Sequence, residues 1–162
     1  MAKKLEVLKL TEENFKEFGS IISSEGRRPD AGDESFNWFE KLGALEGIDT
    51  VSINILECKQ REMKIDKIEV HRQTPEAIIP LGGKPVIAVV APAGDFDESK
   101  MKAFLIDGDR GIMLNTGVRH FIPYPVDGNV NCIIVFRHGT GANDLVFDQL
   151  SDTYDIVYKK QG

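Results

Sequence analysis

The chain has 162 residues, 41% of them hydrophobic and 28% charged, a size and composition at which one folded unit buries a core without disulfides or a structural metal. Its formal charge of −6 lacks the cationic surface that sequence-independent nucleic-acid binding needs, yet leaves room for a few arginines to hold a small anion in a cleft. No apolar run approaches the roughly 20 residues of a membrane span, and Met1 to Leu5 carries two lysines with no apolar stretch behind it, so a single cytoplasmic domain over residues 1–162 is expected, with neither membrane nor nucleic acid as partner.

Leu5 to Leu10 alternates apolar and polar residues in the manner of a half-buried strand. Thr11 then offers an N-cap, Glu12 and Glu13 suit the first turn of a helix, Leu10 can pack back on Phe15, and Gly19 is a stop signal. This is the one helix the sequence predicts. Residues 23–35, SSEGRRPDAGDES, read as an exposed loop. From Phe36 onward short strand-forming runs follow one another: FNWFEKL, TVSINILE, MKIDKIEV, EAIIPL, PVIAVVAP, KAFLI, GIML, RHFIPY, NVNCIIVFRH, DLVFDQL and YDIVYK, each bounded by turn formers.

Within the second run Val51, Ile53 and Ile55 alternate with Ser52 and Asn54, which predicts one buried face and one polar face. Asn54, on the polar face, is a candidate to donate a hydrogen bond into the barrel and onto a bound substrate. Trp38, with Phe36 and Phe39, reads as core or subunit-interface material. Cys58 and Cys132 fall outside any metal or redox spacing and read as reduced core residues. Gly139-Thr-Gly141 follows a strand but lacks the spacing and lysine of a phosphate loop. Many short strands and one early helix predict a mainly β protein, a barrel or sandwich closed against exposed edges.

The chemistry-bearing residues gather in two places. Glu69-Val-His71 sets two side chains on one face of a strand, Glu76 follows five residues later and Gly83 seven after that; Gly117-Val-Arg119-His120 brings a histidine into a strand from a turn. These spacings resemble the two cupin motifs, with glutamate in place of the leading histidine of the first. The resemblance implies a cupin-like β-barrel (double-stranded β-helix, or jelly roll) with one short N-terminal helix. It also implies Glu69, His71, Glu76 and His120 as candidate ligands of one divalent metal ion. Mixed nitrogen and oxygen donors suit Ni, Mn, Fe or Zn, and no organic cofactor is expected.

A closer resemblance covers most of the chain. The run from Glu69 through Arg72-Gln73-Thr74-Pro75-Glu76-Ala77-Ile78-Ile79-Pro80, the preceding Ser52-Ile53-Asn54, Gly83 with its strand, Arg119-His120 and the opening TEENFKEFG together look like the ureidoglycolate lyase family. That family implies a cupin-like homodimer splitting ureidoglycolate, a small anionic ureido hydroxy acid, into glyoxylate and urea. Such cleavage needs a base for the hydroxyl proton and an acid for the leaving nitrogen, roles for which His120 and Glu76 are the candidates. Arg119 and Arg137 are candidates for the substrate carboxylate; Arg72 points away from His71 in a regular strand, and His138 reads as a loop residue. The chain differs from the family pattern at Gly82, Glu76, Arg119 and Phe121, where a basic residue, glutamine, an aromatic and a polar group are usual. The alternatives are a non-catalytic cupin module binding a small carboxylate and a sugar-acid lyase or isomerase on the same fold.

Overall fold

The computed structural model describes residues 2–160; Met1, Gln161 and Gly162, the outer ends of the expected 1–162 domain, lie outside the described residues. Strand β1 (Lys3–Lys9) leads into helix α1 (Glu12–Phe15) and β2 (Gly19–Ile22), and a small hairpin of β3 (Ala31–Gly32) and β4 (Asn37–Trp38) follows. Next come β5 (Val51–Cys58), β6 (Lys64–Val70), β7 (Glu76–Pro80), β8 (Gly83–Ala91), β9 (Lys102–Gly108) and β10 (Gly111–Leu114). The remaining elements are β11 (Arg119–His120), β12 (Tyr124–Pro125), β13 (Val130–Arg137), α2 (Thr140–Asn143) and β14 (Val146–Val157). Among the described residues no helix is long and apolar enough to cross a membrane.

The strands form a seven-stranded sheet, β11-β6-β14-β1-β9-β8-β12, and a five-stranded sheet, β2-β10-β7-β13-β5. Because β11 pairs with β8 as well as with β6, the strands β11, β6, β14, β1, β9 and β8 close into a ring with no free edge. The fold is mainly β, and of the barrel or sandwich that the strand pattern predicts it is the closed barrel. Strand β8 is buried on both faces and its alternation feeds two cores. Val86, Ala88 and Val90 join Ile78, Phe104 and Ile134 between the two sheets, whereas Ile87, Val89 and Ala91 join Ile65, Ile68 and Tyr154 inside the ring.

Helix α1 is a single turn. Thr11 and Asn14 cap it reciprocally, and Phe15 seats against Phe104 at 5.2 Å between ring centroids. The chain then leaves for β2 instead of continuing, and a Cβ at Gly19 would stand 1.8 Å from the Met113 carbonyl oxygen, so glycine is what admits β2 beside β10. Additional to the elements the sequence predicts are β2, only four residues long, β3 inside the expected 23–35 loop, a 3-10 turn at Glu98–Lys100, and α2, one turn within the β13–β14 connection. DLVFDQL and YDIVYK, expected as separate strands, are one strand with a register shift between Gln149 and Tyr154.

Strand β5 reverses its expected orientation. Val51, Ile53 and Ile55 are 42%, 77% and 61% exposed, while Ser52, Asn54 and Leu56 turn inward beside Ile134 and Phe136 of β13. Periodicity locates two faces but not which of them meets the core, and here the edge strand of the five-stranded sheet carries its branched residues outward, next to Ile133 and Val135. Phe36 and Trp38 are likewise exposed, which removes them from the core. Cys58 and Cys132 are buried free thiols, as expected.

Candidate active site

The site grows from register. His120 of β11 sits directly opposite Glu69 of β6, and cross-strand partners point to the same face. On its other side His120 faces Val90, whose side chain lies in the core between the sheets, so His120, Glu69 and, two residues along, His71 all project into that layer. From the opposite sheet Glu76 projects inward on the same face of β7 as core residue Ile78. The turn carrying His120 is held by Gly117, whose φ of +82° places it in the left-handed region and whose N–H donates to the His71 carbonyl at 3.0 Å. The end of β6 and the start of β11 are thereby fixed to each other.

The four side chains converge. His120 Nε2 lies 2.7 Å from Glu76 Oε2 and 3.4 Å from Glu69 Oε1, and His71 Nε2 lies 4.0 Å from Glu76 Oε1. The two imidazoles are 4.9 Å apart between centroids, with Phe136 edge-on to His71 at 5.7 Å. His71, Glu76 and His120 are buried; the Glu69 side chain, 16% exposed, is the member nearest solvent. Each histidine donates its Nδ1 proton to a backbone carbonyl, His71 to Asp144 at 2.6 Å and His120 to Val118 at 3.1 Å, which turns both Nε2 atoms toward the carboxylates.

Charge in this dry layer is settled by the neighbours. Burial disfavours ionised Glu76, but the His120 and His71 rings outweigh it and hold the carboxyl below the usual range. Burial also opposes an imidazolium at His120, yet the Glu76 carboxylate, reinforced by Glu69 and the Val118 carbonyl, pushes it up to about 9. At Glu69 burial dominates and raises the carboxyl, moderated by His120, His71 and Lys67.

The remaining sequence candidates lie elsewhere. Arg119 alternates with His120 and so faces the ring side, where it donates to Asp148 at 2.6 Å and the Gly94 carbonyl at 2.8 Å. Together with Arg72, Phe96 and Asp148 it lines a cavity of about 580 Å³ separated from the quartet by the wall of β6 and β11. Arg137 pairs with outward-facing Val51, beyond the sheet face that carries Phe136. Asn54 does turn inward, with its amide donating to Ser52 Oγ and the Ile134 carbonyl. Thus the quartet comes together, Asn54 turns inward, and among the described residues neither arginine forms an ion pair or hydrogen bond with the quartet, the buried Arg137 Nε having no partner.

The sequence is matched by the model of the Ureidoglycolate lyase family over residues 2–156. The chain belongs to this family. A curated ureidoglycolate lyase of Pseudomonas paraeruginosa (strain DSM 24068 / PA7) is 32% identical over 146 residues, which is 86% of each chain. One from Burkholderia mallei (strain NCTC 10229) is 32% identical over 148 residues, 87% of this chain and 86% of the relative. Among solved structures, RmlC from Streptococcus suis in complex with dTDP-D-xylose aligns at 15% identity and a TM-score of 0.43, over 65% of this chain and 59% of that one.

In this member of the ureidoglycolate lyase family the donor set fits a metal ion. Ligand atoms of Glu69, His71 and His120 all lie within 4.8 Å of one another. Glu76 Oε2 and His120 Nε2, 2.7 Å apart, form a buried ion pair. The two imidazoles, their other nitrogens tied to carbonyls, turn Nε2 inward as metal-ligating histidines do. The cluster of two histidines and a carboxylate can therefore bind a metal.

Two residues in this family member escaped sequence reasoning. Lys67 stands two residues before Glu69 on the same face of β6, with Nζ 4.9 Å from the ring of Phe147, itself the cross-strand neighbour of Glu69. Strand parity alone places Lys67 there, but a lysine in a polar run gives no other signal. The second is Asp144, whose carbonyl receives the His71 proton across 73 residues of sequence.

Proposed function

We infer that the protein is a ureidoglycolate lyase, cleaving ureidoglycolate to glyoxylate and urea. The observation that carries this reading is the coincidence of the family match over residues 2–156 with a buried cluster of two imidazoles and two carboxylates. The reaction removes the proton from the hydroxyl group, forms the aldehyde carbonyl, breaks the carbon–nitrogen bond, and returns a proton to the departing urea nitrogen. Glu76, held ionised at neutral pH, is suited to accept the hydroxyl proton and, once protonated, to return it to the departing nitrogen, with His120 beside it holding its charge. A divalent ion of the Ni, Mn, Fe or Zn kind, held by Glu69, His71 and His120, would supply Lewis acidity toward the substrate's hydroxyl and carboxylate oxygens. His71, Glu76 and His120 are buried, so these charges act at reduced dielectric. A module that only sensed a carboxylate would face it with arginines and amides, whereas this cluster presents two carboxylates and two histidines.

The experiment is to incubate the purified protein with racemic ureidoglycolate, with and without added Ni or Mn, and follow glyoxylate. Release above background establishes the reading. No release under any metal condition overturns it.

With Arg119 and Arg137 facing elsewhere, Lys67 is the cation we assign to the substrate carboxylate at the mouth beside Glu69. Lys67→Met should raise KM roughly tenfold with kcat little changed, the signature of a charged hydrogen bond made equally in ground and transition states. An unchanged KM would remove Lys67 from the site.

We further read the enzyme as a single cytoplasmic domain that forms a homodimer. The two buried free thiols suit a reducing compartment, and the outward Val51, Ile53 and Ile55 form an apolar edge-strand face suited to a second copy. Replacing Ile53 and Ile55 together with aspartate should convert a dimer to a monomer in sedimentation, while a double variant that sediments as the wild type does would place the interface elsewhere.

A further inference from the structure

Asp144 follows α2 and is buried beneath the turn that joins β6 to β7. All three of its oxygens are engaged with consecutive residues of that turn. Its carbonyl accepts from His71 Nδ1 at 2.6 Å, its Oδ1 from the Arg72 N–H at 2.9 Å, and its Oδ2 from the Gln73 N–H at 2.8 Å. The clasp continues one residue further, since Thr74 Oγ1 accepts the Arg137 N–H at 2.9 Å. On the other side Asp144 is itself anchored, its N–H donating to the Thr140 carbonyl at 2.9 Å, while Thr140 Oγ1 donates to the Arg137 carbonyl at 2.6 Å.

We propose that Asp144 is the positioning residue of the site, fixing the tautomer and ring orientation of His71 so that Nε2 is presented to Glu69 and Glu76. A backbone carbonyl against Nδ1 demands a proton there and leaves Nε2 as the coordinating atom. Any residue at 144 has a carbonyl; what aspartate adds is a carboxylate of the right reach to hold two successive N–H groups just past the histidine. Charge-assisted bonds of this kind register the carbonyl on the ring. Without them the β6–β7 turn is free to shift relative to α2, and the Nδ1 contact is lost with it. The inference rests on reading the quartet as the site, but not on the reaction assigned to it.

The test uses the full chain without substrate. In Asp144→Ala the affinity for Ni²⁺ alone, measured by calorimetry, should fall about 10–100-fold, and nitrogen NMR of the metal-free protein should change His71 from one Nδ1-protonated tautomer to a mixture. Asp144→Asn keeps one acceptor oxygen and should fall between the two, which also serves if the alanine variant folds poorly. A single His71 tautomer together with Ni²⁺ affinity within twofold of wild type in either variant would overturn the proposal. Because neither readout involves ureidoglycolate, a protein that releases no glyoxylate would sink the lyase reading and leave this one to be judged on His71. Should the wild type bind no Ni²⁺, the tautomer decides by itself.

Discussion

His120→Ala should lose glyoxylate release by at least about a thousandfold, because one substitution removes a metal donor and the imidazole that holds Glu76 ionised. It should also cost the metal-free protein about 3–5 kcal/mol near neutral pH, since the buried Glu76 carboxylate is left without its partner. The sign of the pH dependence separates this from a simple packing loss. In the wild type Glu76 lies below the usual carboxylate range, so its contribution to stability is present above the unfolded carboxyl pKa and fades as pH falls through the folded one. In the variant, burial acts on Glu76 unopposed by His120 and raises its pKa; the protein should then be most stable in acid and weaken as pH rises. Denaturant titrations of both proteins at pH 5 and pH 8 measure the difference. Adding Glu76→Gln to His120→Ala should restore much of the stability at pH 8, while activity stays lost. If the double variant were as unstable as the single one, the contribution of His120 would be packing and not charge.

How much of this could be read beforehand depended on whether local pattern or distant pairing decided the outcome. The barrel was legible because short runs such as PVIAVVAP and CIIVF are strand-forming wherever they lie, and turn formers punctuate them. The Glu69/His71 pair was legible from period-2 parity alone, and the resemblance added Glu76 and His120. Arg119 lies away from the quartet by the same parity, since a residue beside a histidine that points between the sheets points into the ring, and Asp148, 29 residues away, claims its guanidinium. Strand β5 defeated the pattern because alternation is symmetric: VSINI reads identically whether the isoleucines meet the core or a second copy of the chain. Asp144 carried no signal, since its partners lie more than 70 residues earlier and two of them are backbone N–H groups, which every residue but proline possesses.

The apparent affinity for a divalent metal should weaken about tenfold for each pH unit below about 9, or about a hundredfold between pH 8.5 and 6.5, because His120 must give up a proton before its Nε2 can coordinate. The proton is held by the same carboxylates that would surround the ion: Glu76 above all, then Glu69, lift His120 to about 9 against the opposing effect of burial. Proton and metal therefore compete for one place, and calorimetry in buffers of different ionisation enthalpy should count one proton released per ion bound near pH 7.5. Glu76→Gln, with its shape kept and its charge gone, should drop the His120 pKa substantially, so that the steep region of the affinity profile moves to lower pH even though one carboxylate has been lost. For the metal-free protein the linkage has the opposite consequence. Stability contributed by the raised His120 is complete below about 6.5, its ordinary value, and is lost as pH climbs through about 9. Added Ni²⁺ should protect most strongly across that upper interval, where the bare site is weakest and the imidazole is free to bind. Affinity that stayed flat from pH 6.5 to 8.5 would show that His120 is not a ligand and would leave it as the acid partner of Glu76 alone.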